Sequence, residues 1–559
     1  MEPESQITKR REFYGKRAID GQALKKLIEA SLIWLRTNQE IVNALNVFPV
    51  PDGDTGTNMV LTMQAAYDEI QNSGDSNFGK MIHGVAHGAL MGARGNSGVI
   101  LSQIWRGFAR CVGESETLDG ETFVRALSEA RHTAYKGVVR PVEGTILTVI
   151  KDAAIAAEDA LSETGNPILL LEKVISAADE SVEHTPELLD VLKEAGVVDA
   201  GGKGLYYILE GMLRYIDGLP LDTSLTTVQP LSSLVLDNSL ESIEAGQDWE
   251  VIVDFRSQGA IDMVNFYNDL ENMGTSIQFG EGDGIYRLHI HVPNENYYAP
   301  EDYIKNLGIV TKVAKENLVD QMERQTNGCL EQEPEIMPLE PGKIGVIAVV
   351  PGSGIARIFA SMGVAAIVKG GQTMNPSTEE IIREIDKLPT DNVIILPNNK
   401  NIFMAAKTAA EFSAKNVTVI PSRTIPQGLS AMLCLVPDGD IEIVVSDMQA
   451  ALEDVETGEI TTATRTVELD GVKANKGDII GLLNGKMVVS SHRLDQACLE
   501  LLNFAHADHF EIITLFYGKD VTVQEALQMQ DTVRSAFPEQ EVEIHEGCQP
   551  HYHFIVSIE

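Results

Sequence analysis

Basic residues are scarce in this chain: 43 Lys and Arg stand against 82 Asp and Glu, a formal net charge of -39. A surface that acidic repels the phosphate backbone of nucleic acids and anionic lipid headgroups. No basic run outside Lys9-Arg10-Arg11 makes a local exception, so direct nucleic-acid or membrane-surface binding is disfavoured. Cysteine is also sparse. Cys111, Cys329, Cys434, Cys498 and Cys548 are scattered, odd in number and never in a C-x-x-C pair, which argues against a disulfide scaffold and suits a reducing compartment. No stretch reaches the roughly 18 apolar residues of a transmembrane helix. The N-terminal Met1–Gly21 has no apolar signal segment, and no hydrophobic stretch follows Arg10-Arg11. The expectation is a cytoplasmic protein with no transmembrane segment. A Walker A Gly-Lys-Ser/Thr, an obvious Ser-His-Asp or Cys-His nucleophile, internal repeats and low-complexity tracts are missing as well.

What is present is a long chain with changing periodicity. Its 559 residues exceed one hydrophobic core, so three or four domains are expected. Up to residue 218 the pattern is almost entirely helical: Leu24, Leu27, Ile28, Leu32 and Leu35, then Met59, Met63, Ala66 and Ile70, recur at helical spacing. Thr185-Pro186-Glu187 offers a cap, a proline and an acid for a helix start. Residues 219–246 read as a linker. Residues 247–330 read as a small α+β domain, with alternating strands at Trp249–Phe255 and Tyr286–Val292 and helices near Ile261–Met273 and Tyr298–Glu316. After a second linker, 331–342, residues 343–559 alternate strand and helix, with buried parallel strands at Ile344–Val350, Asn392–Leu396 and Val417–Ile420 and a terminal strand near His553–Val556.

The chemistry concentrates in the helical region. Asn46-Val47-Phe48-Pro49-Val50-Pro51-Asp52-Gly53-Asp54 joins two amphipathic helices and places two carboxylates in a proline-stiffened, glycine-hinged loop. The next helix begins near Thr55, Gly56, Thr57 and Asn58. Hard carboxylate oxygens beside a helix N-terminus suit a magnesium–phosphate complex; the plainer alternative is a helix–turn–helix connector. In Gly92-Ala93-Arg94-Gly95-Asn96-Ser97-Gly98, small residues admit a ligand to the backbone, Asn96 and Ser97 can bond phosphate oxygens, and Arg94 can neutralise the transferred group. Glycine used only for helix packing is the competing reading, and Gly84, Gly88 and Gly92 belong to the same pattern. Gly144-Thr145 and Asp199 with Gly201 each begin a helix, as caps or as further nucleotide contacts. Pro351–Gly354 reads as a strand–helix turn, and Cys548, His551 and His553 as a polar terminal strand rather than a metal cluster.

These motifs carry a resemblance. The helical region resembles the L-subunit domain of dihydroxyacetone kinases. Asn46–Met59, followed by Gly92-Ala93-Arg94-Gly95-Asn96-Ser97-Gly98-Val99-Ile100-Leu101-Ser102-Gln103, is similar to the A-type subunit of fatty acid kinase. The likeness continues through Gly370–Thr378, Leu396–Asn401, Thr424–Gly428 and Gln549-Pro550, nearly the full chain. It implies an all-α helical barrel that holds ATP with magnesium at one end, followed by an α+β middle domain that dimerises and an α/β C-terminal domain that docks a carrier. It also implies ATP-dependent phosphorylation of a fatty acid held by a separate DegV-type protein, with the acyl phosphate feeding phospholipid synthesis. Asp52 and Asp54, with Asn46, would hold magnesium, and Arg94 would assist. The resemblance includes a cysteine on the earlier strand of the middle domain; this chain has Trp249-Glu250-Val251 in that neighbourhood and no cysteine, with Glu250 as the candidate to replace it. His289 and His291 share one strand face and can hold zinc if a third ligand joins them. Two other functions stay open: a kinase for a small hydroxylated substrate such as dihydroxyacetone, and a nucleotide-bound scaffold without turnover.

Overall fold

Helix starts in the first part of the chain are written in short polar residues. Asp20, Asn77, Asp119 and Asn166 each accept a backbone N–H of the turn they open, and Pro167 follows Asn166 at the first helical position. The helices so begun belong to a series: α1 (Gly21–Thr37), α2 (Gln39–Leu45), α3 (Thr55–Ile70), α4 (Phe78–Met91), α5 (Gly95–Val112), α6 (Gly120–Gly137), α7 (Ile146–Ala160), α8 (Pro167–Leu188), α9 (Asp190–Ala195) and α10 (Ala200–Asp217). The computed structural model describes residues 11, 19–47, 53–138, 140–221, 229–230, 249–257, 266, 269–270, 273–282, 285–293, 296–317, 334–372, 374–463, 466–469 and 471–559. Two units result: Met1–Leu221 together with Glu331–Glu559, and Asp222–Leu330.

The apolar faces of α1 and α3–α8 merge with that of α10 into one core that includes Ile28, Leu35, Met59, Met63, Phe78, Ile82, Leu101 and Val149. Glycine sets how closely these helices approach. A Cβ on Gly88 would stand 2.4 Å from the Ala65 carbonyl oxygen, and one on Gly98 would stand 2.4 Å from Thr62 Oγ1, so α4 and α5 both press against α3. The helix start expected at Thr185 does not occur, because α8 runs on through Pro186 to Leu188. Proline removes the N–H that would reach Val182, and the Thr185 hydroxyl donates to that carbonyl instead at 2.6 Å.

The second unit holds a five-stranded sheet of β1 (Gln229–Pro230), β2 (Trp249–Ser257), β3 (Thr275–Gly282), β4 (Ile285–Val292) and β5 (Gly308–Asn317), ordered β1-β3-β4-β2-β5. Val251, Val253, Phe255, Leu288, Ile290 and Val292 form its core with Ile304 of α11 (Ala299–Leu307). The helix expected over 298–316 thus stops at Leu307, and β5 pairs antiparallel with β2. The β-branched run Ile309-Val310-Thr311 favours the strand, and Gly308 permits it, since a Cβ there would meet the Arg256 carbonyl oxygen at 2.1 Å. Most of the helix expected over 261–273 lies outside the described residues.

The remainder of the first unit is α/β. Strands β6 (Gly345–Val350), β7 (Ala366–Lys369), β8 (Asn392–Leu396) and β9 (Asn416–Val419) form an all-parallel sheet, ordered β7-β6-β8-β9, with α12 (Ser353–Ser361), α13 (Thr378–Lys387), α14 (Phe403–Phe412) and α15 (Ile425–Leu433) interleaved. A mixed sheet follows, built from β10 (Glu456–Thr462), β13 (Ile479–Leu483), β14 (Lys486–Ser491), β15 (Ile512–Tyr517), β16 (Glu541–Glu546) and β17 (Tyr552–Ile558), with the ribbon β11 (Val467–Leu469) and β12 (Val472–Ala474) beside it in sequence. Strand alternation assigns the faces of β6. Val346, Ala348 and Val350 pack with Phe516 and Ile555 of the mixed sheet, whereas Ile347 and Val349 pack with Ile381, Ile385, and Ala93 and Val99 of the helical region. The helical and α/β regions therefore share a core, and the shared part lies at the start of α5.

Gly88→Ala forces its new methyl into the α3 backbone and should destabilise the chain by about 1–3 kcal/mol, read as a lowered unfolding midpoint. An unchanged midpoint would show that α3 and α4 can move apart freely.

Candidate active site

The site begins where α2 ends and α3 starts. Asn43 of α2 accepts the Thr57 N–H at 3.1 Å and donates to the Thr57 hydroxyl at 3.1 Å, and Gln39 donates to the same hydroxyl at 3.0 Å. A Cβ on Gly56 would meet the Gln39 carbonyl oxygen at 2.4 Å. Gly56 and Thr57 are thereby committed to seating α3 on α2. Gly53 has φ +67°, a turn conformation natural to glycine. Asp54 occupies the N-cap position of α3, yet its side chain does not cap the helix. It is 6% exposed, and Oδ2 accepts from Asn375 Nδ2 at 2.5 Å. Asn46, Thr55 and Asn58 are buried nearby in sequence. Asp52 lies outside the described residues, so the paired carboxylate is placed at one member only.

The glycine-rich segment meets the same neighbour. Gly95 has φ +56°, and a Cβ on it would stand 2.7 Å from Asn58 Nδ2 and 3.4 Å from Asn375 Nδ2. The starts of α3 and α5 therefore converge, and neither N-cap residue, Asp54 or Arg94, caps its own helix through its side chain. Apart from the Thr57 N–H, which Asn43 takes, the N–H groups at two converging helix starts favour an anion. Arg94 donates from Nη1 to the Asn375 carbonyl oxygen at 2.8 Å and pairs with Glu380 at 3.2 Å. Burial opposes ionisation of Glu380, but the Ser377 N–H and Arg94 outweigh it and hold its carboxyl below the ordinary range. Asn96 Nδ2 donates to Asn401 Oδ1 at 3.1 Å, and the Thr378 N–H donates to the Ala93 carbonyl at 3.3 Å. Ser97 is half-buried and Gly98 is pressed on Thr62. Arg94, expected on a phosphoryl group, is thus engaged by Glu380 and the Asn375 carbonyl.

Asp199, Gly201, Gly144 and Thr145 form a second group of contacts at the starts of α7 and α10. Thr145 caps α7 by accepting from Leu147 N at 3.4 Å. Gly144 has φ +79°, and a Cβ there would meet the Thr185 carbonyl at 2.9 Å. Asp199 Oδ2 accepts the Gly202 N–H at 2.7 Å, and the Asp199 N–H donates to Thr185 Oγ1 at 3.0 Å. Burial raises the Asp199 carboxyl to about 6, against the counteracting N–H groups of Gly202 and Ile146. These residues act visibly as caps that bind α7, α8 and α10 together.

The remaining metal candidates fare differently. His289 and His291 lie on one face of β4 with ring centroids 5.0 Å apart, and burial together with His291 pushes the His289 ring down to about 4. Glu250 stands opposite His291 in register, but its side chain is not among those described. No group of three or more His, Cys, Asp or Glu able to hold a metal occurs among the described residues, so zinc there is unsupported. Cys548 is disulfide-bonded, where the cysteine spacing argues against a disulfide scaffold, and His553 Nε2 bonds Thr462 Oγ1 at 2.8 Å. Both facts tell against a Cys548–His551–His553 metal cluster. No helix of the described residues is long and apolar enough to cross a membrane.

Asn375, Glu380 and Asn401 do not stand out as site residues in the sequence. Their signal is local: Asn-Pro-Ser-Thr-Glu-Glu carries the Ser377–Glu380 capping box that starts α13, the turn that also presents Asn375.

Residues 49–214, which include the converging starts of α3 and α5, match the DAK2 domain. Residues 345–559 match the C-terminal domain of the FakA-like fatty acid kinase family. Protein YloV of Bacillus subtilis (strain 168) is 39% identical over 557 residues, covering 97% of this chain and 100% of the relative. Uncharacterized protein SAR1202 of Staphylococcus aureus (strain MRSA252) is 38% identical, covering 97% of this chain and 99% of the relative. The chain belongs to the FakA-like family of fatty acid kinase subunits. Among solved structures, the dihydroxyacetone kinase of C. freundii in complex with AMP-PNP and Mg2+ is 16% identical with a TM-score of 0.29, covering 36% of this chain and 35% of that one. DegV of Bacillus subtilis, a fatty acid binding protein, is 13% identical with a TM-score of 0.29, covering 38% of this chain and 98% of that one. At those scores neither likeness carries an argument.

The Asp199 shift has a definite sign. Its folded value, about 6, lies above the ordinary 3.8, so the stability it contributes is full below about 3.8 and is lost as pH rises through about 6. Asp199→Asn keeps a capping oxygen without the charge. Relative to the parent, the variant should gain stability as pH rises from 4 to 7, read from unfolding midpoints across that range. A constant difference would contradict the burial of an ionisable carboxyl there.

Proposed function

We propose that the chain transfers the γ-phosphoryl group of ATP to the carboxylate of a fatty acid presented by a separate DegV-type binding protein. The observation that supports this most is the buried Asp54 carboxylate at the start of α3, which its side chain does not cap, in a chain of the FakA-like family. Magnesium fits the donor set. Asp54 supplies a carboxylate, Asn46 a buried amide at the end of the preceding helix, and Asn375 Oδ1 is a buried oxygen that accepts no hydrogen bond among the described residues. Such hard oxygens, with Asp52 joining them, are what magnesium takes. When bound, the ion neutralises phosphate charge and fixes its orientation.

The chain's own residues have little covalent chemistry to perform. A fatty carboxylate is already ionised near pH 7, so no general base is required. Its oxygen attacks the γ-phosphorus, and the bond to the β–γ bridging oxygen breaks. ADP leaves with the electron pair, and no proton moves. What the site must supply is alignment and a place for negative charge. The converging starts of α3 and α5 supply both through their N–H groups. In this reading residues 247–330 serve self-association, and residues 343–559 meet the carrier as well as closing the site.

The test is hydroxylamine trapping of acyl phosphate from ATP, Mg2+ and a fatty acid loaded on a DegV-type protein. Hydroxamate should depend on this chain and on the carrier, and Asp54→Asn should lower it by at least about 10²-fold with the circular dichroism unchanged. Near-normal turnover by Asp54→Asn, or no product from a demonstrably loaded carrier, would contradict the proposal.

A further inference from the structure

We infer that Asn375, from the loop between β7 and α13, is a positioning residue of the nucleotide–metal site in the helical region, acting through Asp54. The inference rests on the function proposed above and extends it to a residue 321 positions away in sequence. Asn375 is 2% exposed, and its two side-chain atoms are placed differently. Nδ2 donates to Asp54 Oδ2 at 2.5 Å, while Oδ1 is buried and accepts no hydrogen bond among the described residues. A buried amide oxygen without a donor costs stability, so a residue kept there for packing alone would be poorly chosen. Beside a carboxylate that binds a cation, the same oxygen has a use.

The loop is held in place before any ligand arrives. The Gly370 N–H donates to the Val350 carbonyl at 2.9 Å, and the Gly371 N–H donates to the Met374 carbonyl at 3.1 Å. Gln372 donates to the Tyr552 hydroxyl at 2.8 Å and accepts from Asn399 at 2.5 Å. Arg94 then clamps the Asn375 carbonyl from the helical side while pairing with Glu380. Asn375 therefore does for Asp54 what outer-shell hydrogen bonds do for metal ligands generally: it fixes which oxygen faces inward and in what orientation.

The experiment uses the full chain and measures binding of Mn2+–ATP by the electron paramagnetic resonance signal of free Mn2+. Asn375→Ala should weaken binding by about tenfold or more, while Ile381→Val, which loosens the same junction in its apolar core beside Ala93 and Val99, should change it by less than about threefold. Asn375→Ala combined with Asp54→Asn should bind no worse than Asp54→Asn alone, because the two act as one unit. Should Asn375→Ala lower the unfolding midpoint, Asn375→Ser replaces it with a polar side chain too short to reach Asp54. Unchanged or tighter binding in the Asn375 variants, or equal weakening by Ile381→Val, would overturn the inference and leave the functional proposal standing. If Asp54→Asn itself binds Mn2+–ATP normally, the functional proposal falls with it.

Discussion

A buried carboxylate needs a partner, and Asp54 finds one in Asn375, on the far side of a junction between two regions distant in sequence. The contacts at that junction are unequal. Arg94 and Glu380 have side chains 26% and 41% exposed, and such a pair contributes about 0–1 kcal/mol. The hydrogen bond from Asn375 to a buried carboxylate is of the charged kind, about 1.5–3 kcal/mol. Beneath it, Ala93 and Val99 enter the core of the parallel sheet beside Ile347, Val349 and Ile381. The apolar contact joins the regions, the Asn375 bond sets their register at the site, and the ion pair tunes the edge.

Glycine makes the junction possible at both ends. Gly98 lets α5 lie against Thr62, and Gly95 leaves room where α3, α5 and Asn375 meet. Side chains at these positions would separate the two helix starts whose N–H groups favour phosphate. Packing is what these glycines do in the structure, and on the proposed function the same close approach would also bring the two helix starts to the phosphates.

Much of this is legible in the sequence, and where the sequence misleads the causes are physical. Period-3.6 patterns locate α1 and α3, and apolar runs locate β6 and β8. The helix–strand switch at Gly308 escapes the pattern because Tyr298–Leu307 sets a helical periodicity that the β-branched run then breaks. Thr185-Pro186 misleads because a proline within a helix end looks like one within a helix beginning; the Thr185 hydroxyl decides the matter by taking the Val182 carbonyl. Charge makes Arg94 a candidate for phosphate. Its pairing with Glu380 depends on a tertiary contact 286 residues away, which no local pattern announces. Asn375 sits within a family motif, but nothing in its spacing says that it reaches Asp54.

The central claim is that the nucleotide site is composite, built by the helical region and closed by the α/β region. Amide hydrogen exchange of the full chain, with and without Mg2+ and a non-hydrolysable ATP analogue, tests it most directly. The account predicts slowed exchange both at Thr55–Asn58 and Gly95–Gly98 and at Ser377–Glu380. Protection confined to the helical segments, with Ser377–Glu380 unchanged, would contradict it.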